Sequence, residues 1–151
     1  MVSVIGLIII VAGAVLIIAG VVTYALVSSK LADQQITVSA DASHFGGQKV
    51  SQPWQAYAQA NAIAAHADAI AGGKTYAELP QNDPNRQTVM TASFLQASLF
   101  TSVVAFGVAL MAVGMGILFV LVGAALRHLD RAEPLAAGMP TTMTGAMGPD
   151  V

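Results

Sequence analysis

The stretch that decides the fold is VSVIGLIIIVAGAVLIIAGVVTYALV, residues 2–27, because it contains no charged side chain. As a helix rising 1.5 Å per residue it would cover roughly 39 Å, enough to cross the hydrocarbon layer of a membrane with some tilt. A cleaved signal peptide is the alternative. However, the preceding MVS has no basic side chain, and the apolar run exceeds the usual signal-peptide core of about 7 to 15 residues. The sequence therefore predicts a retained transmembrane helix.

A second uncharged run, residues 87–126, would be roughly 60 Å long as a helix, which is more than one membrane crossing needs. Its first part, QTVMTASFLQASLFTS, contains Thr, Ser and Gln, whereas VVAFGVALMAVGMGILFVLVGAAL, residues 103–126, is almost wholly apolar. We predict that the second span lies at 103–126 and that the same helix projects from the membrane toward Thr88.

The composition also indicates a membrane protein. Of the 151 residues, 56% are hydrophobic and 9% are charged, with a mean hydropathy of +0.70, whereas a soluble domain has about 25% charged residues. The formal net charge of -2 and the lack of a basic cluster argue against a nucleic-acid partner and against an electrostatic lipid anchor. The absence of cysteine excludes disulfides, thiolate metal sites, iron–sulfur clusters and C-x-x-C-H haem attachment.

The predicted fold class is therefore an all-α membrane protein, a two-helix transmembrane antiparallel hairpin with a small, mainly helical external domain between the spans. The predicted segments are 1–28, the first transmembrane helix; 29–88, the external (periplasmic) domain; 89–128, a long helix containing span 103–126; and 129–151, a cytoplasmic tail rich in Pro, Gly and Met. Within the tail, Met139, Met143 and Met147 are candidates for docking, since methionine adapts to irregular surfaces.

The orientation of the hairpin follows from few charges. Arg127, His128 and Arg131 follow the second span, whereas the connecting segment has Lys30 and Arg86 near the spans. The positive-inside rule then favours cytoplasmic termini and a periplasmic or extracellular loop of about 60 residues in the plasma (inner) membrane.

Small residues recur at seven-residue spacing in both apolar runs. They are Gly6, Gly13 and Gly20 in the first run, and Gly107 with Gly114 and Gly116 with Gly123 in the second. This spacing keeps a residue on one face of a left-handed helix pair, where small side chains permit close backbone approach, so it predicts tight antiparallel packing. Ala112 with Gly116 adds a small-x-x-x-small pair, so the second helix has a spare small-residue face that is a candidate contact for another protein. The plain alternative is that Gly and Ala are common in membrane helices.

Neither predicted span contains Asp, Glu, Lys, Arg or His. Ionisable groups inside the membrane are the usual sign of a proton relay, an ion path or a voltage sensor. The sequence therefore argues against a transporter or a pump.

The connecting segment contains one clear helix. Pro53 suits a first helical position, Ser51 or Gln52 can cap it, and Gly72 with Gly73 is typical of an αL helix end. The preceding QITVS alternates in polarity and contains β-branched residues, so a short extended piece and a Gly-Gly turn at residues 46–47 are expected.

Trp54 and Tyr57 lie at the start of this helix, and Ala56, Ile63 and Ile70 form an apolar stripe along it. We predict that these residues pack against the projecting part of the second long helix, with an aromatic contact to a partner as the alternative.

The same helix contains an H-x-D pair, His66 and Asp68, within NAIAAHADAIAGG. On a helix, side chains two residues apart diverge by about 200°, so this pair is not expected to bind one ion. A metal-dependent oxygenase would need His44, His66 and Asp41 or Asp68 together. The sequence predicts no catalytic, cofactor-binding or metal site.

The stretches GGKTYAEL (72–79) and DPNRQTVMTASFLQASLFTSVVAFGVALMAVGMGILFVLVG (83–123), with ITVSADA (36–42) and AYAQA (56–60), resemble a family of small actinobacterial two-span membrane proteins. Members are often labelled aromatic ring-opening dioxygenases, which implies iron bound by two histidines and a carboxylate. The chain is also similar to accessory subunits of the actinobacterial respiratory supercomplex, in which cytochrome bcc joins an aa3-type cytochrome oxidase. That similarity implies a non-catalytic role beside integral membrane subunits, with no redox centre of its own.

The leading interpretation is thus an accessory membrane subunit that stabilises or assembles a larger complex, with phospholipid as a further candidate partner. The second interpretation is a free-standing envelope protein whose external domain binds a ligand or a cell-wall component. The third, disfavoured, is the oxygenase.

Overall fold

The computed structural model describes residues 2–136, with side chains described through Leu129. This part of the chain forms three helices and no strand: α1, Val2–Asp33; α2, Pro53–Ala71; and α3, Arg86–Ala136. The prediction of an all-helical chain is confirmed. The predicted docking of the tail methionines concerns residues outside the described part.

Both long helices extend beyond the predicted boundaries. α1 was expected to end near residue 28 but continues to Asp33, because Ser and Lys side chains at 28–30 tolerate helical geometry outside an apolar span. It ends where Gln35 adopts a positive φ of 53°. α3 begins at Arg86, three positions before the predicted start, after Asp83 has accepted a hydrogen bond from the Asn85 backbone N–H at 2.8 Å.

α1 and α3 run antiparallel and touch along a line of small residues, which we call the glycine seam. Its members, paired across the two helices, are Gly6 with Gly123, Gly13 with Gly116, and Gly20 with Ala109. A Cβ atom added at Gly13 would lie 2.6 Å from the Gly116 carbonyl oxygen, so only glycine fits this separation of the backbones. Close backbone approach increases the dispersion contacts between the two helices.

Most of the surface of these two helices is apolar and uncovered. In each helix only 17% of the most apolar 18-residue window is buried, unlike the core helix of a soluble protein, which is mostly buried. Ile18 in α1 and Val104 in α3 are 64% and 65% exposed, respectively. By length and composition, both helices are able to cross a membrane.

The segment between α1 and α2 folds back on itself. The Val38 N–H donates to the Gln48 carbonyl and the Val50 N–H to the Ile36 carbonyl, each at 2.8 Å. Only one isolated antiparallel bridge forms, between residues 37 and 49, so the expected extended piece is present but too short to be a strand. Gly47, at φ 77°, lies in the turn.

α2 has the ends that the sequence predicts. Gln52 is its N-cap residue, Pro53 is the first helical residue, and Gly72 ends the helix in the αL conformation with φ 62°. The Gln55 side chain accepts the backbone N–H groups of Ser51 and Gln52 at 3.0 and 3.1 Å, which satisfies donors that the helix leaves unpaired.

α2 packs along the part of α3 that precedes residue 103. The main core lies where all three helices meet; its buried members are Leu31, Val38, Val50, Ala56, Ala60, Leu99 and Phe106. A smaller cluster, Ala71, Leu79 and Val89, closes the far end of α2. The predicted stripe is only partly right, since Ala56 is fully buried but Ile70 is 44% exposed. Ile70 lines a shallow depression beside the start of α3, with Gln87 and Thr88, and so lies outside the main core.

Candidate binding groove

A concave surface lies between α2 and the turn at residues 41–45, and we call it the α2 groove. Its volume is about 660 Å³, within the usual range of small-molecule sites. The lining residues that the functional argument uses are Asp41, Phe45, Trp54, Tyr57 and His66; Val103, where the apolar part of α3 begins, lines it as well.

His66 and Asp41 form a close pair at the side of the groove. His66 Nε2 lies 2.6 Å from Asp41 Oδ2. Both side chains are nevertheless open to solvent, with 50% of His66 and 66% of Asp41 exposed. The hydrogen bond from His66 holds the pKa of Asp41 below its usual value of 3.8, with a backbone hydrogen bond acting in the same direction. An ionised carboxylate only accepts hydrogen bonds, so Nε2 is the donor.

The two members of the H-x-D pair, His66 and Asp68, have different surroundings, as helix geometry predicts. His66 bonds to Asp41, 25 residues away, and Asp68, two residues along the helix, does not line the groove. His44 lines the groove beside Phe45, with their ring centroids 6.2 Å apart. Among the described residues, no three His, Cys, Asp or Glu side chains are grouped so that they could hold a metal ion.

A buried glutamine positions the turn that forms one wall of the groove. Gln59, 8% exposed, accepts hydrogen bonds at its Oε1 from the Ser39 backbone N–H at 2.7 Å and from Ser39 Oγ at 3.2 Å. These bonds fasten the segment before Asp41 to the middle of α2. No role was predicted for Gln59 from the sequence, where its one local signal is its place among the small residues of AYAQA. In the structure Ala56 and Ala60, on either side of it along the chain, are fully buried.

Trp54 and Tyr57 lie at the edge of the groove rather than in the core, with 50% and 53% of their surfaces exposed. The Tyr57 ring meets Phe100 of α3 edge-on, with ring centroids 5.8 Å apart. Tyr57 therefore contacts the projecting part of α3 and still presents half of its surface outward, while Trp54 faces the groove.

The structure separates the predicted small-residue positions into two sets. Gly6, Gly13, Gly20, Gly116 and Gly123 lie in the glycine seam. Gly107 and Gly114 have no atom within 4 Å of an added Cβ, so they form a second, uncovered surface of α3, which we call the open glycine face. The residue of α3 that faces Gly20 in the glycine seam is Ala109, which is 2% exposed, and not Gly107 or Gly114.

A second groove, of about 600 Å³, lies where α1, α2 and α3 meet. Its lining includes Lys30 and Gln34 near the end of α1 and Leu26 one turn deeper. Lys30 is 3.9 Å from Asp33 in an exposed pair, an arrangement that contributes little to stability.

Comparison of the chain with protein-family models, with curated proteins and with solved structures finds no match.

The Asp41–His66 pair predicts a pH dependence with a definite sign. Because the pKa of Asp41 is lowered in the folded protein, the pair stabilises the turn above pH 3.8, and this stabilisation is lost as the pH falls through the lowered pKa. We expect His66→Ala to raise the pKa of Asp41 toward 3.8, because it removes the largest cause of the shift. Carboxyl NMR of ¹³C-aspartate-labelled protein measures this pKa directly. An identical Asp41 titration in the wild type and the variant would contradict the pairing.

Proposed function

We propose that this chain is a non-catalytic accessory membrane subunit that stabilises or assembles a larger membrane complex. In this proposal α1 and α3 cross the plasma membrane as an antiparallel hairpin, and α2 stands on the periplasmic side. The observation that carries the proposal is the open glycine face: Gly107 and Gly114 leave a shallow, uncovered surface on α3, opposite the helix that α3 already contacts. In membranes, such small-residue surfaces let a neighbouring helix approach closely.

The apolar surfaces of the two long helices support the same proposal. Residues 2–27 and 103–126 contain no Asp, Glu, Lys, Arg or His, the side chains that usually form a proton or ion path across a membrane. A role based on packing against neighbouring subunits requires none. The proposed partners are integral membrane subunits of the respiratory bcc–aa3 supercomplex, as implied by the sequence resemblance.

The oxygenase interpretation has less support. Asp41, His44 and His66 all line the α2 groove, but they are not grouped so that they could hold a metal ion, and no other set of three such side chains is among the described residues. A two-histidine, one-carboxylate iron site needs three such groups around one point. We therefore propose a role without chemistry of its own.

One observation favours a second candidate function, a free-standing envelope protein whose external domain binds a ligand. The α2 groove is large enough for a small molecule and is lined by a carboxylate, a histidine and aromatic rings. A free-standing protein would keep this groove accessible without any partner subunit.

The test is to tag the C-terminus on the chromosome, to extract membranes in digitonin and to identify what co-purifies by mass spectrometry. We expect cytochrome subunits in a near-constant ratio to the bait. Recovery of the bait alone would contradict the accessory role and favour the envelope protein.

A pair of variants connects this result to the open glycine face. Gly114→Leu adds a bulky side chain where there is empty space, so the chain should fold normally while a close-packed partner helix is displaced. Overpacking of an interface costs about 1–3 kcal/mol, so recovery of the partner should fall by roughly fivefold or more. Gly114→Ala, which stays small, is the matched control and should retain the partner. Equal recovery with both variants would show that the partner binds elsewhere.

A further inference from the structure

We propose that the α2 groove binds the ammonium headgroup of a phospholipid in the membrane leaflet on the α2 side. The inference rests on the membrane insertion proposed above, but it is independent of the identity of the protein partner. It assigns the groove a lipid whose headgroup is positively charged at nitrogen, such as phosphatidylethanolamine or phosphatidylcholine.

The position of the groove supports a headgroup. Gln52, just before α2, accepts a hydrogen bond from the Tyr24 hydroxyl at 2.6 Å, and its amide donates to Ser28 Oγ at 3.5 Å, so the base of α2 lies where α1 leaves its apolar run. On α3 the groove reaches Val103, the first residue of the apolar span. Both long helices thus place the base of the groove, where Trp54 lies, at the level where a bilayer changes from hydrocarbon to headgroups.

The aromatic residues fit the same level. Trp54 and Tyr57 each have about half of their surface exposed at the base of α2. Tryptophan and tyrosine are enriched at membrane–water interfaces, because their rings are apolar while their N–H and O–H groups bond to water and headgroups. An acyl chain of a lipid bound in the groove would continue down the apolar surface of α3 below Val103.

The charge of the groove selects a cation. Asp41 is the one acidic side chain that lines the groove, and neither Lys nor Arg lines it. The hydrogen bond from His66 keeps the pKa of Asp41 low, so the carboxylate is ionised at neutral pH. Phe45, Trp54 and Tyr57 add ring faces, which attract ammonium groups through cation–π interactions.

Phe45 supplies a further observation. Its φ is +62°, in the left-handed region that a bulky residue rarely adopts, and its side chain remains 38% exposed. Such a conformation is costly and persists where the surrounding structure enforces it, often at a binding site. In this chain the neighbouring turn, held by Gln59 through Ser39, keeps the Phe45 ring at the groove.

Other occupants fit less well. An anionic headgroup would meet the carboxylate of Asp41, whereas Lys30 lines the second groove and not this one. The Ser43 hydroxyl and the Asn61 amide also line the α2 groove. Both are neutral hydrogen-bond donors, so they would bind the lipid phosphate and leave the charge of the groove unchanged.

The single tryptophan of the chain, Trp54, reports directly on the groove. The full chain is reconstituted in phosphatidylglycerol nanodiscs that contain a small fraction of phosphatidylcholine with a nitroxide on its ammonium group, and quenching of Trp54 fluorescence is measured. The matched lipid is phosphatidylglycerol with the same nitroxide in the middle of its acyl chain. We expect the headgroup-labelled lipid to be enriched at Trp54 by about three- to tenfold over its bulk fraction. Unlabelled phosphatidylethanolamine should relieve the quenching, whereas free choline at the same concentration should not.

Two variants test the charge and the aromatic contribution. Asp41→Asn should abolish the enrichment, whereas Asp68→Asn, an equal charge change on α2 but outside the groove, should retain it. Tyr57→Leu should reduce the enrichment and leaves Asp41 intact, which guards against a folding defect in Asp41→Asn.

The outcomes separate this inference from the proposed function. If the chain fails to co-float with the nanodiscs, membrane insertion is wrong and both proposals fail. The headgroup site alone is wrong if the chain co-floats but Trp54 shows no preference for the ammonium lipid. It is also wrong if Asp41→Asn shows the same enrichment as the wild type, or if free choline displaces the labelled lipid as well as phosphatidylethanolamine does. Enrichment at Trp54 in a chain that co-purifies with no other subunit would support the lipid site and contradict the accessory role.

Discussion

Replacing Gly116 by valine is expected to separate α1 from α3. A Cβ atom at this position would lie 2.6 Å from the Gly13 carbonyl oxygen and 2.9 Å from the Ile17 backbone nitrogen. Backbone atoms cannot move away as a flexible side chain does, so the helices themselves must shift and lose contact along the glycine seam. We expect the free energy of unfolding to fall by at least about 1–3 kcal/mol.

Gly114→Val is the matched control, because it makes the same change on the same helix, where an added Cβ meets no atom within 4 Å. Both variants remove a helical glycine, so any gain in helix propensity is shared and the difference reports packing alone. Equilibrium unfolding in mixed detergent micelles, followed by Trp54 fluorescence, measures both free energies. Equal stabilities would contradict the seam.

The second large effect is expected for Gln59→Leu. Leucine has a similar volume but offers no acceptor, so the Ser39 backbone N–H and hydroxyl, now bonded to Gln59 Oε1, would lose their partner in a partly buried setting. An unsatisfied buried donor costs about 1–3 kcal/mol, and the turn that carries Asp41 and Phe45 would lose its attachment to α2. Lower stability and a weaker Trp54 response to the ammonium lipid should therefore appear together.

Gln81→Leu is the comparison for this variant, since Gln81 is exposed in the loop before α3. Its stability should stay within about 0.5 kcal/mol of the wild type, as is usual for surface substitutions. Amide hydrogen exchange over residues 38–48 distinguishes the two cases, because the Val38 and Gly47 amides are hydrogen-bonded within this segment. If Gln59→Leu leaves that protection unchanged, Gln59 does not hold the turn.

Several features of the fold were predictable because their causes are local. The uncharged runs at 2–27 and 103–126 predict long apolar helices from composition alone. Pro53 and Gly72 mark the ends of α2 because proline suits the first helical position and glycine adopts the αL conformation at low cost. In each case the signal and the structure lie within a few residues of each other.

The choice between the two glycine pairs of α3 was harder. Gly107 with Gly114 and Gly116 with Gly123 have the same spacing, but only the second pair meets α1. One signal separates them: Ala109 extends the second pair to three small residues at seven-residue spacing, as many as α1 presents. A seam needs small residues on both helices at each crossing, so the longer series fits it better.

The candidate site was largely beyond sequence reasoning. Periodicity correctly separates the directions of His66 and Asp68 on a helix, but it has no information about Asp41, which lies 25 residues before His66. The same holds for Gln59 and Ser39, which are 20 residues apart. The helices of this protein can be read from its sequence, because their length, ends and apolar character follow from short-range geometry. Which glycines pack and which side chains form the groove depends on long-range contacts, because these are set by how the 34–52 segment folds back onto α2 and by the height at which α1 and α3 meet.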